Sequence, residues 1–310
     1  MDDLEDEILI EDDLDALDII EFGFPRRFLR RVNYFEEMDN LTFFRRFRLM
    51  KETVLFLLPY LENDLEFNND LNNSVAPINQ LLATLRFYAS VISFFSSIKS
   101  TSNQNTSFLG GEDAEVFRNR KGYFSINVQA TCDADLKFLD VVARWPGSAN
   151  DSTVFNNSRL KRRIENNEFR NGIFLGDSGY PLRNYFLTPL LNPCSPEERL
   201  YNEAHIRTRN TIERCFGVWK RRFPVVAYGM RLKLNNVMNV IVATAVLHNI
   251  ALLQNEELPP PPDDVQVSEW NNLIMMANVP DLPLNNQNDN INAYRSELIN
   301  SYFFNLIYQQ

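Results

Sequence analysis

The sequence predicts an α/β fold, and three observations carry that expectation. Tyr123-Phe124-Ser125-Ile126-Asn127-Val128-Gln129-Ala130 alternates apolar and polar side chains at period two. Leu136 to Ala143 is a second strand candidate across the Asp133-Ala134-Asp135 turn, so the pair reads as a hairpin. A helical stretch, a short apolar run and a long helical segment follow, giving the order strand, strand, helix, strand, helix of an α/β layer with an antiparallel hairpin at one side.

The remaining elements follow in chain order. Residues 1–21 hold eleven Asp and Glu and no Lys or Arg, alternating with Leu and Ile, and read as a solvated acidic tail or a weak amphipathic helix. Residues 26–67 read as helical, with Arg45, Arg46 and Arg48 flanked by Phe43, Phe44 and Phe47. Ile78 to Ile98 is a second helical stretch after the polar run Asn68 to Asn73, and Lys99 to Ser107 is a Ser, Thr and Asn-rich loop.

After the hairpin, Trp145-Pro146-Gly147-Ser148-Ala149-Asn150-Asp151 forms a loop leading into a helix over Ser152 to Ile164. Ile173 to Asp177 is a short buried strand with turn residues Ser178, Gly179 and Pro181 behind it. A Pro-bounded loop, Pro181 to Pro196, precedes a long helix from Pro196 to Arg222, and an apolar helix runs from Asn236 to Leu253. Pro259 to Pro262 is a stiff linker, and the tail beyond Asp263 is polar, acidic and at best partly helical.

Composition narrows the function classes. At 310 residues, 45% hydrophobic and 23% charged, the chain is long enough for one large core or two smaller ones. The net charge of −10 conceals an uneven distribution, because residues 118–233 carry 20 Lys and Arg against 11 Asp and Glu. That central region is the part suited to a polyanion. Cys132, Cys194 and Cys215 lack CxxC spacing and are odd in number, which argues against a disulfide framework or a zinc site and for a reducing compartment. No basic segment followed by an apolar core opens the chain, and no run reaches about 18 apolar residues, so neither a secretory signal nor a membrane span is expected.

Two acids stand out. Asp177 ends an apolar run and Glu213 lies within the long helix, 35 residues intervening, and a strand-end acid with a helix-borne acid is a common way to hold a hard divalent cation. Each has a plainer role beside it: Asp177 a turn residue, and Glu213 a solvated helix residue paired with Arg209 one turn earlier. His205 lies two turns before Glu213 and suits a phosphate contact, a contact to a ligand carboxylate, or packing, whereas His248 reads as a core histidine. The basic clusters Lys161-Arg162-Arg163 and Lys220-Arg221-Arg222, with Arg118, Arg120, Lys121, Arg207 and Arg209, outline a path for DNA phosphates or solvated helix faces.

Between Glu112 and Ile250 several motifs stand in a fixed order: Asn119-Arg120-Lys121-Gly122-Tyr123, Trp145-Pro146-Gly147-Ser148 with Asp151, Leu175-Gly176-Asp177-Ser178-Gly179-Tyr180, Asn202 with His205, Arg209 with Ile212-Glu213-Arg214-Cys215-Phe216-Gly217, Lys220 with Arg222-Phe223, and Val246-Leu247-His248-Asn249-Ile250. Together they resemble the Harbinger transposase-derived nucleases of the DDE superfamily. The resemblance implies a ribonuclease H-like nuclease core over 109–254, with an acidic tail (1–25), a helical region (26–108) and a Pro-containing polar C-terminal tail (255–310). It implies a divalent metal-dependent DNA endonuclease that uses Mg or Mn, with Asp177 and Glu213 as catalytic metal ligands and Asp151 as a further candidate. An N-cap is the competing role for Asp151. Arg120, Lys121, His205, Arg209, Lys220 and Arg222 are the implied DNA contacts.

The family further implies a separate Myb-like DNA-binding partner; the lack of a secretory signal or membrane span leads to an expected location in the nucleus or cytoplasm. It also supplies a first catalytic aspartate from an Ile-Asp-Gly-Thr-His strand ahead of the position held here by Gly110 to Glu115. This chain has no such segment, so a central strand is expected to be missing. The alternative reading is therefore a truncated, catalytically inactive DNA- or partner-binding protein of transposase descent.

Overall fold

A computed structural model describes residues 32–67, 74–90, 112–118, 124–170, 172–227, 230, 232–260 and 292–308. The chain divides into two compact units, Met1–Asp39 and Asn40–Gln310. In the first, the described residues form one helical turn, α1 (Tyr34–Glu37), whose N-terminus is capped by the Asn33 side chain. The acidic run 1–21 and the first part of the helical region lie outside the described residues.

The second unit begins with three helices, α2 (Asn40–Phe47), α3 (Lys51–Leu65) and α4 (Pro77–Ala89). Phe43, Phe44 and Phe47 lie on one face of α2 and are buried, so the aromatic residues between the arginines are core. Residues 91–98, read as continuing α4, lie outside the described residues.

The hairpin forms as expected. β1 (Ile126–Cys132) pairs antiparallel with β2 (Phe138–Pro146), with register shifts between Asn127 and Gln129 and between Thr131 and Cys132. Asp133 closes the turn through Oδ1, which accepts from the backbone N–H groups of Asp135 and Lys137. Two short helices follow, α5 (Asp151–Asn156) and α6 (Arg159–Glu165), then β3 (Phe174–Leu175). Its parallel partner β4 (Phe186–Leu187) lies in the segment expected to be loop. Among the described residues the strands thus make two separate two-stranded sheets. The fold is mixed α and β, as expected, with helix in excess.

α7 (Pro196–Arg222) has the bounds its sequence indicated. Ser195 and Glu198 form a reciprocal capping box at its start, and Lys220, Arg221 and Arg222 occupy its last turn. α8 (Leu234–Leu253) packs against β2, burying Val240, Ile241, Thr244, Ala245, His248 and Ala251. By length and hydropathy α8 could cross a membrane, and a third of its most apolar window is buried in the protein. Asn249 fixes it by bonding the Phe138 N–H and C=O, each at 2.8 Å.

The C-terminal tail, read as polar and at best partly helical, is helical in its described part. Residues 292–308 are helical, as α9 (Asn292–Leu298), a π-helical turn Ile299–Phe303 and α10 (Phe304–Tyr308). Ile299 and Phe303 pack with Tyr201 of α7, and the buried Arg295 donates to the Thr188 carbonyl. Alternating polar residues concealed an apolar stripe at helical spacing.

One buried ion pair joins remote parts of this unit. Arg222 donates to Glu256 Oε2 at 2.7 Å, both side chains being 1% exposed, and also to the carbonyls of Arg48 and Glu257. Glu256 Oε1 accepts from the Met50 N–H at the start of α3. Arg48, whose φ is 64°, reaches the Pro260 carbonyl. Arg222 was a candidate DNA contact. The structure corrects that reading, because a guanidinium spent on buried acceptors cannot reach a phosphate.

Two stability predictions follow from these buried groups. Glu256→Ala strands the Arg222 charge in the core and lowers unfolding free energy by about 3–5 kcal/mol in urea titrations; an unchanged midpoint contradicts the assignment. His248 is fully buried beside Phe138, its Nε2 facing the Leu136 carbonyl at 2.9 Å, and burial pushes its imidazole below the usual histidine range. The unfolded chain then takes up the extra proton, so stability is present above about pH 6.5 and lost as pH falls. Denaturation between pH 7.5 and 5 should show that decline, and His248→Gln should reduce it, the likewise buried His205 supplying the remainder.

Candidate functional site

The site is built where the 147–150 loop, between β2 and α5, meets the turn after β3. Gly147 lies so close to Ser125 that a side chain there would collide with the Ser125 hydroxyl, and Gly176 is pressed equally closely on the Phe186 ring. These two glycines let both loops approach the sheets. Asp151 then takes the first helical position of α5, with Asn150 before it as N-cap. The structure therefore corrects the N-cap reading of Asp151 and leaves its carboxylate for other partners.

Asp151 Oδ1 accepts from Asn127 Nδ2 at 3.1 Å. Asp177 Oδ1 accepts from the Gly179 N–H at 2.9 Å, closing the turn expected of it. Both carboxylates face Gly179: a Cβ built there would lie 3.1 Å from Asp177 Oδ1 and 3.6 Å from Asp151 Oδ2. The absence of a side chain at Gly179 leaves a small space bounded by two acids. Burial pushes the Asp151 carboxyl above the usual range, the Asn127 hydrogen bond opposes that shift, and the negative charge of Asp177 adds to it.

Tyr180 closes the floor. Its ring meets Phe155 and Phe186, and its hydroxyl accepts from Gln129 Nε2 at 2.9 Å. Burial, then the charge of Asp151, pushes its phenol well above the ordinary range, so it stays protonated.

Glu213 does not join this pair. Its Oε1 accepts from Arg209 Nη1 at 3.2 Å, the plainer role weighed for it. The placement follows from how α7 lies along the hairpin. His205 meets Leu187, the residue that also bonds Gly176, while Cys215 Sγ donates to the Leu136 carbonyl at the hairpin turn. Eight residues of helix separate His205 from Glu213, about 12 Å along the axis. Glu213 therefore lies toward the turn end of the hairpin, whereas Asn127 lies near the start of β1 at the other. Among the described residues no three His, Cys, Asp or Glu side chains come close enough together to hold a metal ion.

The proposed DNA contacts divide. His205 is 4% exposed with Nε2 3.2 Å from the Leu187 carbonyl, and burial holds its imidazole below the usual range, which corrects the phosphate-contact reading to packing. Arg209 is partly exposed, and Lys220 is half-buried, its ammonium pushed down by burial. Arg120 and Lys121 lie outside the described residues. Lys161 and Arg163 pair with Glu165 and Glu168, while Arg162 is exposed.

The residues that sequence reasoning missed are Asn127, Gln129 and Tyr180. Period-two alternation assigns the polar face of β1 to solvent, yet Gln129 is 7% exposed, and the amides bond the Asp151 carboxylate (Asn127) and the Asp151 backbone carbonyl (Gln129). The available signal was position: two amides at i and i+2 on a strand, ahead of an Asp-bearing loop.

The motif order resembles that of transposase-derived nucleases, and sequence comparison supports the resemblance. Residues 96–249 match the DDE superfamily endonuclease family, to which this chain belongs. It is 35% identical over 137 residues to a Homo sapiens protein named "Putative nuclease HARBI1", covering 43% of this chain and 39% of that one. The Xenopus laevis protein of that name is 32% identical over 138 residues, covering 43% and 40%. The Arabidopsis thaliana "Protein ALP1-like" is 31% identical over 144 residues, covering 42% and 36%. The chain thus spans about two fifths of the length of these relatives. No solved structure matches it.

The shifted Asp151 gives a test of the geometry. An aspartate raised above its unfolded value, about 3.9, favours folding below that value and loses the contribution as pH rises through the folded value. Asp151→Asn should therefore melt higher than the parent at pH 7 without metal, with the gap closing toward pH 3. A difference independent of pH contradicts a penalised carboxylate.

Proposed function

We propose that this protein is a divalent metal-dependent DNA endonuclease of the Harbinger transposase-derived class, cleaving phosphodiester bonds on a ribonuclease H-like core. The observation that carries the reading is the convergence of Asp151 and Asp177 on Gly179. Two carboxylates suit one Mg or Mn ion, which is commonly held by one or two acids with water and substrate phosphate in the remaining positions. Such an ion neutralises charge on a phosphate oxygen and lowers the pKa of bound water.

The chain's own groups do the rest. Asp151 and Asp177 bind, and Asn127 holds Asp151 in place. Protonated Tyr180 lines the floor without adding negative charge. Arg209, Lys220 and exposed Arg162 contact DNA phosphates in this reading, with Arg120 and Lys121 as further candidates. Glu213, which the family resemblance assigns as a third catalytic acid, stays paired with Arg209 in this reading and outside the cation site. A nuclear location and a separate Myb-like DNA-binding partner complete the proposal.

The pairing of Glu213 with Arg209 favours a second reading, a DNA- or partner-binding protein without catalysis. Plasmid nicking with Mn, run beside a gel-shift assay, separates the two. The first reading expects nicking lowered about 100-fold or more by Asp177→Ala and far less by Glu213→Ala. DNA binding with no nicking by the parent chain selects the second.

A further inference from the structure

We propose that Asn127 and Gln129 are positioning residues for Asp151, a pair of amide donors on one face of β1 that aims its carboxylate at the space over Gly179. The inference rests on the reading of Asp151 and Asp177 as a cation site and adds the device that orients one of its ligands.

Residues two apart on a strand share a face, and here both side chains end on the same residue. Asn127 Nδ2 donates to Asp151 Oδ1 at 3.1 Å and to the Ala149 carbonyl at 3.0 Å, so both amide hydrogens are committed to this loop. With Oδ1 held on the strand side, Oδ2 is the oxygen that faces Gly179. Gln129 Nε2 donates to the Asp151 carbonyl at 3.3 Å and to the Tyr180 hydroxyl at 2.9 Å. It thereby ties the first turn of α5 to the turn that carries Asp177, three residues before Tyr180.

Gln129 is 7% exposed, and its Oε1 is buried without a partner among the described residues. A buried amide oxygen left unpaired is unfavourable. An apolar side chain of similar length would avoid that penalty, so what Gln129 supplies is the pair of Nε2 bonds. Carboxylates at metal sites behave as these amides require: hydrogen bonds from outside fix their orientation, and losing one weakens metal binding about 10- to 100-fold.

The test is Mn binding by isothermal titration calorimetry on the full chain, with melting in the absence of metal as a folding control. Asn127→Leu keeps the volume and removes the donor; Gln129→Met does the same at the second position; Asn127→Gln retains an amide. The first variant should bind Mn about 10- to 100-fold more weakly than the parent, the second should be weakened in the same direction, and Asn127→Gln should recover part of the loss. If the parent binds Mn and Asp177→Ala abolishes that binding, yet both donor-less variants bind like the parent, the positioning role is wrong while the cation site stands. If the parent binds no Mn, or Asp177→Ala leaves binding unchanged, the site reading itself fails. Should one variant not fold, the other decides.

Discussion

A helix of 27 residues fastened along its length is the constraint on which the rest of this protein depends. α7 is fixed near its start by Tyr201 and His205, which meet the carbonyls of Thr188 and Leu187, and at its end by the buried Arg222–Glu256 pair. Asn202 adds a two-point bond to the backbone of Leu190. Cys215 lies on the hairpin turn between these anchors. Since a helix advances by a fixed rise per residue, those anchors fix which side chains reach the strand ends, and Glu213 falls short of the acid pair.

That constraint separates two roles that the motifs run together. Asn202, His205, Arg222, His248 and Asn249 belong to the same family-like text as the acids, yet each is bonded to backbone carbonyls, backbone N–H groups or a buried partner. They hold helices to strands. Asp151 and Asp177 converge on a space that Gly179 leaves open. A pair of half-buried acids facing one space is electrostatically unfavourable by itself, and a bound cation relieves it.

Much of this was legible in the sequence. The hairpin could be placed because Asp133-Ala134-Asp135 interrupts two strand-like runs, and α7 because Ser195-Pro196 opens a proline-free segment that ends before Pro224. Asp177 as a turn residue and Glu213 as a partner of Arg209 were also readable, since both roles are local. Long-range features were hidden. β4 spans two residues and owes its pairing to β3, not to propensity. Arg222 sits in a basic run that looks solvated, and only its distant partner Glu256 makes it a core residue. Asn127 and Gln129 look like the wet side of a strand until the 149–151 loop covers them.

The central claim is that Asp151 and Asp177 form the cation site while Glu213 remains with Arg209. Anomalous diffraction from crystals soaked in Mn tests it most directly. The account predicts one peak over Gly179 in contact with both aspartates and an intact Arg209–Glu213 pair. A peak coordinated by Glu213, or occupied density away from Gly179, contradicts it.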